Sequence, residues 1–178
     1  MNGPAVFLDR DGVLNRVILK DGMPLAPATL DELEIPPDVP AALERLKRAG
    51  FALIVVTNQP DVARGTQTRA MVETLNAALA AKLPVDEIRV CYHDDADHCP
   101  CRKPQPGLLL QAPVYDVARS YMVGDRWRDI EAGKNAHVKA TIFINSGHTE
   151  PLHSEPDLRA TSLTEAVDWI LNRRTVEP

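Results

Sequence analysis

Short apolar runs recur along the chain and alternate with stretches in which apolar residues return every three or four positions. The first pattern is typical of strands buried on both faces, and the second of helices that cover a sheet. Their alternation predicts an α/β fold, a Rossmann-like doubly wound parallel sheet. The runs that predict strands are residues 5–8, 51–56, 88–92, 121–123 and 140–144.

Helices are predicted between these strands from apolar spacing and from terminal signals. Asp38 is expected to cap the first helix, and Ser162 and Glu165 form a capping box for the last one. Pro113 should keep the helix before it short. The remaining helices are expected over residues 68–82 and 130–136, and the longest loops over 16–37 and 145–156.

Composition sets limits on function without changing the predicted fold. The 178 residues suit a single domain spanning 1–178, and 44% hydrophobic residues suffice for a core. A net charge of -5 without a long basic run argues against a nucleic acid partner. No apolar stretch approaches the roughly 20 residues of a membrane helix, and no signal-peptide pattern is visible. We therefore expect a cytoplasmic monomer that acts on a small molecule.

Polar side chains follow three of the predicted strands, at the points where those strands end. Asp9 and Asp11 follow the first run, and Gly12 behind them lets the chain turn. Because carboxyl ends of parallel strands share one edge of a sheet, groups far apart in sequence converge there. Two such aspartates suit a hard cation such as Mg²⁺. The other groups expected at this edge are Thr57, Asn58, Asp125 and Asp129.

Each of these later groups also has an interpretation that requires no function. Thr57 and Asn58 could hold phosphate oxygens or simply lead the chain out of a strand. Asp125 could instead cap the helix that follows it. Asp129 could support the loop or orient a metal-bound water. The individual residues leave these alternatives open.

Two adjacent cations, Arg102 and Lys103, lie between the third and fourth predicted strands. A fixed lysine near several carboxylates would offset their repulsion and bind the oxygens of a transferring phosphoryl group. Taken alone, an Arg-Lys pair is more often a solvated surface feature. The pair by itself is therefore compatible with both interpretations.

The three cysteines of the chain all fall between residues 91 and 101. An odd number in one cluster argues against a disulfide framework and for a metal. Cys91, His93, Cys99 and Cys101 form the Cys₃His set of a closed structural zinc site. His98 could replace His93, but His93 pairs with Cys91 at the spacing that Cys101 has from Cys99. Four protein ligands leave no open position, so we expect structural rather than catalytic zinc.

Four segments together resemble the motifs of the haloacid dehalogenase (HAD) superfamily of phosphohydrolases. In chain order they are Asp9-Arg10-Asp11-Gly12-Val13-Leu14-Asn15, Thr57-Asn58-Gln59, Arg102-Lys103-Pro104 and Gly124-Asp125-Arg126-Trp127-Arg128-Asp129. The resemblance runs from Val6 to about Ile144. The Thr-Asn-Gln motif, the Ala-Arg-Gly segment after it and the Cys/His loop narrow it to the small branch with zinc and no separate cap domain. That branch includes phosphatases of heptose bisphosphate and of histidinol phosphate.

The resemblance implies a Mg²⁺-dependent phosphomonoester hydrolase that works through an aspartyl-phosphate. Asp9 would be the nucleophile, and Asp11 the acid that protonates the leaving oxygen and then the base that activates water. The carboxylates of Asp9 and Asp125 and the backbone carbonyl of Asp11 would hold Mg²⁺. Neutralising the phosphoryl oxygens is most of what a protein contributes to this chemistry. The contacts to phosphate and substrate would come from Thr57, Asn58, Gln59, Arg102 and Lys103.

The sequence constrains the substrate less than the reaction. A sugar phosphate such as heptose 1,7-bisphosphate is expected first, with histidinol phosphate as the alternative. The loop from His93 to Cys99 is shorter than in the heptose phosphatases, and residues 20–25 replace their Gly-Tyr-Val segment. A polynucleotide 3′-phosphatase would need a stacking platform or a basic channel, which this composition does not offer. A non-catalytic phosphoacceptor or binding module would not need the full set of aspartates and lysine.

Overall fold

A computed structural model describes residues 3–112, 115–147 and 150–174 of the chain. Its strands are β1 Ala5–Leu8, β2 Ile18–Lys20, β3 Met23–Leu25, β4 Ala52–Asn58, β5 Glu87–Cys91, β6 Tyr121–Gly124, β7 Ala140–Ile144 and β8 Leu158–Ala160. Its α-helices are α1 Val39–Arg48, α2 Arg69–Ala80, α3 Gly107–Leu110, α4 Trp127–Asn135 and α5 Leu163–Arg174. Six strands form one sheet in the order β5-β4-β1-β6-β7-β8, with parallel pairing throughout. The predicted parallel sheet with helices is confirmed.

The strand β1 lies inside the sheet and is buried on both faces, which explains its uninterrupted apolar sequence. Val6 and Leu8 pack into the cluster that contains the apolar residues of α1 and α5. Ala5 and Phe7 pack on the opposite face, in the cluster formed with α3 and α4. Because helices cover both faces, the carboxyl edge of the sheet is the place left for a ligand.

The first two long helices begin with different side-chain contacts, and the predicted cap of α1 is wrong. Thr68 caps α2, since its hydroxyl accepts a hydrogen bond from the Met71 amide at 3.2 Å. The side chain of Asp38 does not cap α1 and instead accepts a hydrogen bond from Thr164 of α5. Pro40 at the start of α1 has no N–H, which removes one of the amides that a cap usually binds.

The helix α4 begins at Trp127, three residues earlier than the apolar pattern predicts. Its N-cap is Arg126, whose amide donates to Oδ2 of Asp129 at 3.0 Å. The interpretation of Asp125 as the cap of this helix is therefore wrong. Asp129 in the first turn takes over that task, where a carboxylate is also favoured by the helix dipole.

The last strand and helix differ in detail from the prediction. The strand β8 was not expected, because three residues are too few to show an alternating pattern. The hydroxyl of Ser162 accepts from the Glu165 amide at 3.2 Å, as in the predicted capping box. The Glu165 carboxylate, however, accepts from the amide of Thr161 at 2.8 Å.

The predicted loop of residues 16–37 contains an antiparallel hairpin, formed by β2 and β3. Asp21 and Gly22 connect the two strands with φ values of 51° and 76°, as a two-residue hairpin turn requires. Pro24 argues against a strand in the sequence, but a two-stranded ribbon tolerates a missing N–H. Among the described residues, this small ribbon is the only sheet besides the six-stranded one.

The helix α3 is short, as predicted, and Pro113 itself lies outside the described residues. No helix in the described part of the chain is both long enough and apolar enough to cross a bilayer.

Candidate active site

The turn after β1 brings Asp9 and Asp11 to the carboxyl edge of the sheet. The amide of Asp9 donates to the Val123 carbonyl of β6 at 2.9 Å, so strand pairing continues through Asp9. The chain then turns at Gly12, whose φ is 89°. A Cβ atom at this position would lie 2.0 Å from Oδ2 of Asp125. Gly12 therefore allows the first turn to approach the end of β6.

Lys103 reaches the same edge from the loop that follows the cysteine cluster. Its Nζ donates to Oδ1 of Asp9 at 2.8 Å, to Oδ1 of Asp129 at 2.5 Å and to the Val56 carbonyl at 2.7 Å. The side chain is only 2% exposed, and Arg102 beside it is also buried. The interpretation of this pair as a surface feature is therefore wrong.

Asn58 fixes the backbone of Lys103. Its Oδ1 accepts from the Lys103 amide and its Nδ2 donates to the Lys103 carbonyl, both at 3.1 Å. The strand β4 runs through Thr57 and Asn58, two residues beyond the predicted end. The Asn58 amide, which was predicted to contact phosphate, is thus committed to holding the lysine.

Three carboxylates surround this lysine or lie beside it. Asp9, Asp125 and Asp129 each offer an oxygen, and these oxygens lie within 4.8 Å of one another. Burial, the charge of Asp129 and the charge of Asp11 together raise the pKa of Asp9 to about 6, against the lowering effect of Lys103. Burial and the charge of Asp125 likewise raise the pKa of Asp129. The cluster therefore has more negative charge than its lysine neutralises.

The excess of negative charge also shifts the pKa of Lys103. Burial alone would lower its pKa, but the charges of Asp129 and Asp9 outweigh burial and raise the pKa above the usual lysine value. The lysine is therefore a permanent cation. The Asp129 carboxylate accepts hydrogen bonds from this lysine and from the amide that begins α4. These contacts match the interpretation in which Asp129 supports the loop.

Asp125 is fully buried at the end of β6. The hydroxyl of Ser146 donates to its Oδ2 at 2.7 Å from the loop after β7. Nothing in the sequence distinguishes Ser146 from other serines in a surface loop.

Asp11 and Gln59 connect the first turn to the end of β4. The Gln59 side-chain amide donates to Oδ2 of Asp11 at 2.8 Å and to the hydroxyl of Thr57 at 3.0 Å. Thr57 and Gln59 are both buried. Arg10 and Asn15 also donate to the Asp11 carboxylate.

A cavity of about 350 Å³ opens above these groups. Asp9, Asp11 and Lys103 line its floor, and the hairpin of β2 and β3 forms part of its rim. In the described part of the chain, Nη1 of Arg102 is buried and has no hydrogen-bond partner. Met23, Pro24 and Leu25 of the segment 20–25, which the sequence relates to substrate choice, also line it. The further lining residues that the sequence did not single out include Asp95, Arg126, Arg128 and Glu150.

The four predicted zinc ligands form a second cluster at the end of β5. The Sγ atoms of Cys91, Cys99 and Cys101 lie 3.0–3.6 Å apart, and Nδ1 of His93 lies 3.3 Å from Cys101 and 3.5 Å from Cys91. Zinc–sulfur bonds of about 2.3 Å in a tetrahedron imply edges of roughly 3.8 Å, close to these separations. The structure brings His93 into this cluster, whereas His98 ends the short turn between the ligand pairs.

Burial and hydrogen bonds shift the pKa values of the thiols in this cluster. Burial raises the pKa of the Cys91 thiol, whereas the Arg102 amide, which donates to Cys99 at 3.3 Å, helps to lower the pKa of that thiol against burial. The same amide links the cluster to the Arg-Lys pair in the active-site cavity.

The chain is similar in sequence to a known family and to named phosphatases. A family model described as HAD-hydrolase-like matches residues 100–166. D-glycero-beta-D-manno-heptose-1,7-bisphosphate 7-phosphatase from Escherichia coli K12 is 38% identical over 184 aligned residues, covering 95% of this chain and 88% of the relative. The protein of the same name from Helicobacter pylori J99 is 33% identical over 175 residues, covering 93% of this chain and 96% of the relative.

A solved structure shares the fold over nearly the whole chain. It is D,D-heptose 1,7-bisphosphate phosphatase from B. bronchiseptica, complexed with magnesium and phosphate. The TM-score is 0.77 at 28% identity, and the match covers 96% of this chain and 99% of that one.

Proposed function

This chain belongs to the family of heptose-1,7-bisphosphate 7-phosphatases within the HAD-like hydrolases, and we propose that it removes one phosphate from a phosphorylated sugar, with heptose 1,7-bisphosphate as the first candidate. The observation that carries the proposal is the buried cluster in which Lys103 joins Asp9 to Asp129 beside Asp125. Asp9 and Lys103 lie together on the floor of one cavity, which supports the assignment of Asp9 as a carboxylate nucleophile beside a fixed cation.

In the first step, an Asp9 carboxylate oxygen attacks phosphorus, and the bond from phosphorus to the ester oxygen breaks. The departing oxygen takes a proton from the Asp11 carboxyl group, which leaves an aspartyl-phosphate and a free alcohol. Lys103 lies 2.8 Å from the nucleophile and contributes positive charge beside the transferring oxygens.

In the second step, a water molecule attacks the phosphorus of the aspartyl-phosphate and gives a proton to the Asp11 carboxylate. The bond between Asp9 and phosphorus breaks, and inorganic phosphate leaves. Asp9 returns to its carboxylate form and Asp11 to its protonated form, so both residues are ready for another cycle.

The residues around Asp9 fit Mg²⁺. Three carboxylates have oxygens within 4.8 Å of one another, and the pKa values of Asp9 and Asp129 are raised. The site therefore lacks positive charge. The carboxylates of Asp9 and Asp125, with the backbone carbonyl of Asp11, would hold the ion. When bound, it supplies charge that favours the ionised Asp9 and offsets that of the phosphoryl group. Asp129 is committed to Lys103 and to α4.

The rest of the substrate is assigned to the cavity beyond the floor. Gln59 lines the cavity and donates to both Asp11 and Thr57, and we assign Thr57 and Gln59 to the oxygens of the phosphoryl group. Arg102 also lines the cavity. Its positive charge suits the oxygens of a second phosphate better than the amine of histidinol phosphate. This charge favours a sugar bisphosphate over histidinol phosphate.

The test is phosphate release from a panel of esters by the wild-type protein with Mg²⁺ and by Asp9→Asn. The panel contains heptose 1,7-bisphosphate, histidinol phosphate, a DNA 3′-phosphate and an aryl phosphate. We expect the highest kcat/KM for the bisphosphate and a loss of about a thousandfold or more in the variant. No release from any ester, or equal rates for the two proteins, contradicts the enzyme proposal.

Size-exclusion chromatography of the same sample tests the expected monomer.

The cysteine cluster is assigned a structural zinc ion. Cys91, His93, Cys99 and Cys101 supply four ligand atoms, which leaves no open coordination position. Metal analysis of the purified protein should find about one zinc per chain, and Cys99→Ser should lower both zinc content and the melting temperature. The assignment is contradicted if the wild-type protein contains no zinc and has the same melting temperature as Cys99→Ser.

A further inference from the structure

Arg10 is the residue between the two aspartates of the first motif, and its side chain is fully buried. Its guanidinium faces Asp11 side-on, with Nε 3.1 Å from Oδ1 and Nη2 3.1 Å from Oδ2. The remaining terminal nitrogen, Nη1, donates to Oδ1 of Asn76 at 2.8 Å. Asn76 lies on α2, which carries none of the residues assigned to the reaction, and is itself 7% exposed.

A buried guanidinium is stable only while its charge is paired and its N–H groups have acceptors. Asp11 provides the carboxylate, and Asn76 provides the neutral acceptor that fixes the direction of the fork. The forked geometry of arginine determines two contacts at once, which a lysine could not do. Rotation of Asp11 away from this position would leave the Arg10 charge buried without a carboxylate partner.

Two further donors complete the environment of Asp11. The side-chain amides of Asn15 and Gln59 donate to Oδ1 at 3.0 Å and to Oδ2 at 2.8 Å. Both of these residues lie near the strand ends, whereas the Arg10–Asn76 contact connects the carboxylate to a helix outside the sheet. The orientation of the acid/base residue is therefore set partly from α2.

We propose that Arg10 and Asn76 are positioning residues that hold the Asp11 carboxyl group in the orientation required for proton transfer to the leaving oxygen. The inference rests on the proposed function, because it assigns to Asp11 the acid/base role. It predicts that loss of the Asn76 acceptor impairs proton donation more than substrate binding or nucleophilic attack.

The test compares two phosphate esters in kcat/KM, which contains only the steps up to departure of the leaving group. An alkyl phosphate needs a proton on its leaving oxygen, whereas p-nitrophenyl phosphate releases a phenolate that does not. For Asn76→Leu, which keeps the size of the side chain but removes the acceptor, we expect about a tenfold loss with the alkyl ester and less than about twofold with the aryl ester. Asn76→Asp retains an acceptor oxygen and should restore the wild-type ratio.

Two other variants separate positioning from packing. Val72→Ala shortens a buried side chain on the same helix that has no polar atom to bond Arg10, so it should lower the melting temperature and leave the ratio of the two esters unchanged. Arg10→Lys keeps the charge and loses the fork, so it should repeat the selective loss even where Asn76→Leu folds poorly.

Equal losses with both esters in Asn76→Leu and Arg10→Lys overturn the positioning role, as does a changed ratio in Val72→Ala. A wild-type protein that hydrolyses neither these two esters nor heptose 1,7-bisphosphate overturns the proposed function and this inference together. An active wild type with equal losses in the variants overturns only the inference.

Discussion

The floor and the rim of the active-site cavity are built in different ways. On the floor, the side chains of Asp9, Lys103 and Asp129 are 12%, 2% and 2% exposed, and Lys103 donates a hydrogen bond to each of the two carboxylates. On the rim, Met23 and Leu25 are 62% and 42% exposed on a ribbon of two short strands. The floor is fixed by the sheet, whereas the rim is exposed to solvent.

The difference separates two functions of the same cavity. Reacting groups must keep their positions within a fraction of an ångström, which favours groups anchored at the ends of buried strands. Discrimination between esters depends on residues that contact the part of the substrate beyond the phosphoryl group. Such residues can lie on loops, because loops on a rigid scaffold can change in sequence without loss of the fold. Substitutions on the floor should therefore affect the reaction and stability together, and substitutions on the rim should affect substrate affinity.

The largest effect is expected from Lys103→Met. The substitution leaves Asp9 and Asp129 buried without their shared cation, and breaking a buried pair in this way costs about 3–5 kcal/mol. Activity should fall by about a thousandfold or more, because we propose that the lysine also offsets the charge of the transferring phosphoryl group. Denaturant unfolding and phosphate release measure the two quantities.

Lys47→Met provides the matched control for this prediction. Lys47 also bonds to an aspartate, Asp86, but the two side chains are 34% and 36% exposed. An exposed pair contributes about 0–1 kcal/mol, so stability and activity should change little. Similar stability losses in the two lysine variants contradict the contrast between buried and exposed pairs.

Gly12→Ala should have a smaller effect on activity than Lys103→Met. The added Cβ would lie 2.0 Å from the Asp125 carboxylate, so either the turn or the proposed metal ligand must move. A displacement of about 1 Å in an active site can cost about a hundredfold in rate, and we expect a loss of that size together with weaker Mg²⁺ activation. Activity measured against Mg²⁺ concentration checks both.

Gly22→Ala tests the same backbone strain on the rim. Its φ is 76°, close to the 89° of Gly12, but no heavy atom lies within 4 Å of the added Cβ. Both alanines incur about 1–2 kcal/mol of left-handed strain, and only Gly12→Ala meets a carboxylate. A comparable loss of activity in Gly22→Ala shows that strain, rather than displacement of Asp125, is responsible.

Asp9→Asn should stabilise the metal-free protein at neutral pH while abolishing activity. The native pKa of Asp9 is about 6 and its ordinary value is 3.8, so the folded state binds the proton more tightly. The resulting stabilisation is complete below about pH 4 and is lost as the pH rises through 6. The variant should therefore exceed the wild type by up to about 3 kcal/mol at pH 7.5 in chelator, and by far less at pH 4. Urea unfolding at both pH values measures this difference, and a less stable variant at pH 7.5 contradicts it.

The division between floor and rim also separates what the sequence predicts from what it does not. Asp9, Asp11 and Asp125 follow apolar runs whose buried strands are recognisable, so their meeting at one edge follows from the parallel sheet. The hairpin is hidden because Pro24 and the short strands weaken the alternating pattern. Arg10 is hidden for another reason: a charged residue in a turn is usually exposed, and its burial depends on pairing with Asp11 and on the tertiary contact with Asn76.

The smallest effect is expected from Arg126→Ala, which removes a contact between the two regions. Nη2 of Arg126 donates to the Pro24 carbonyl of the hairpin at 3.0 Å, and the residue lines the cavity. We expect KM for the sugar ester to rise about threefold while kcat stays within about twofold, because the contact positions the rim and touches none of the reacting groups. Arg119→Ala, which removes an exposed arginine outside the cavity lining, should change neither constant. A fall in kcat with an unchanged KM would mean that Arg126 affects the reacting groups on the floor. The prediction that rim residues affect substrate affinity and not the reaction would then be wrong at this position.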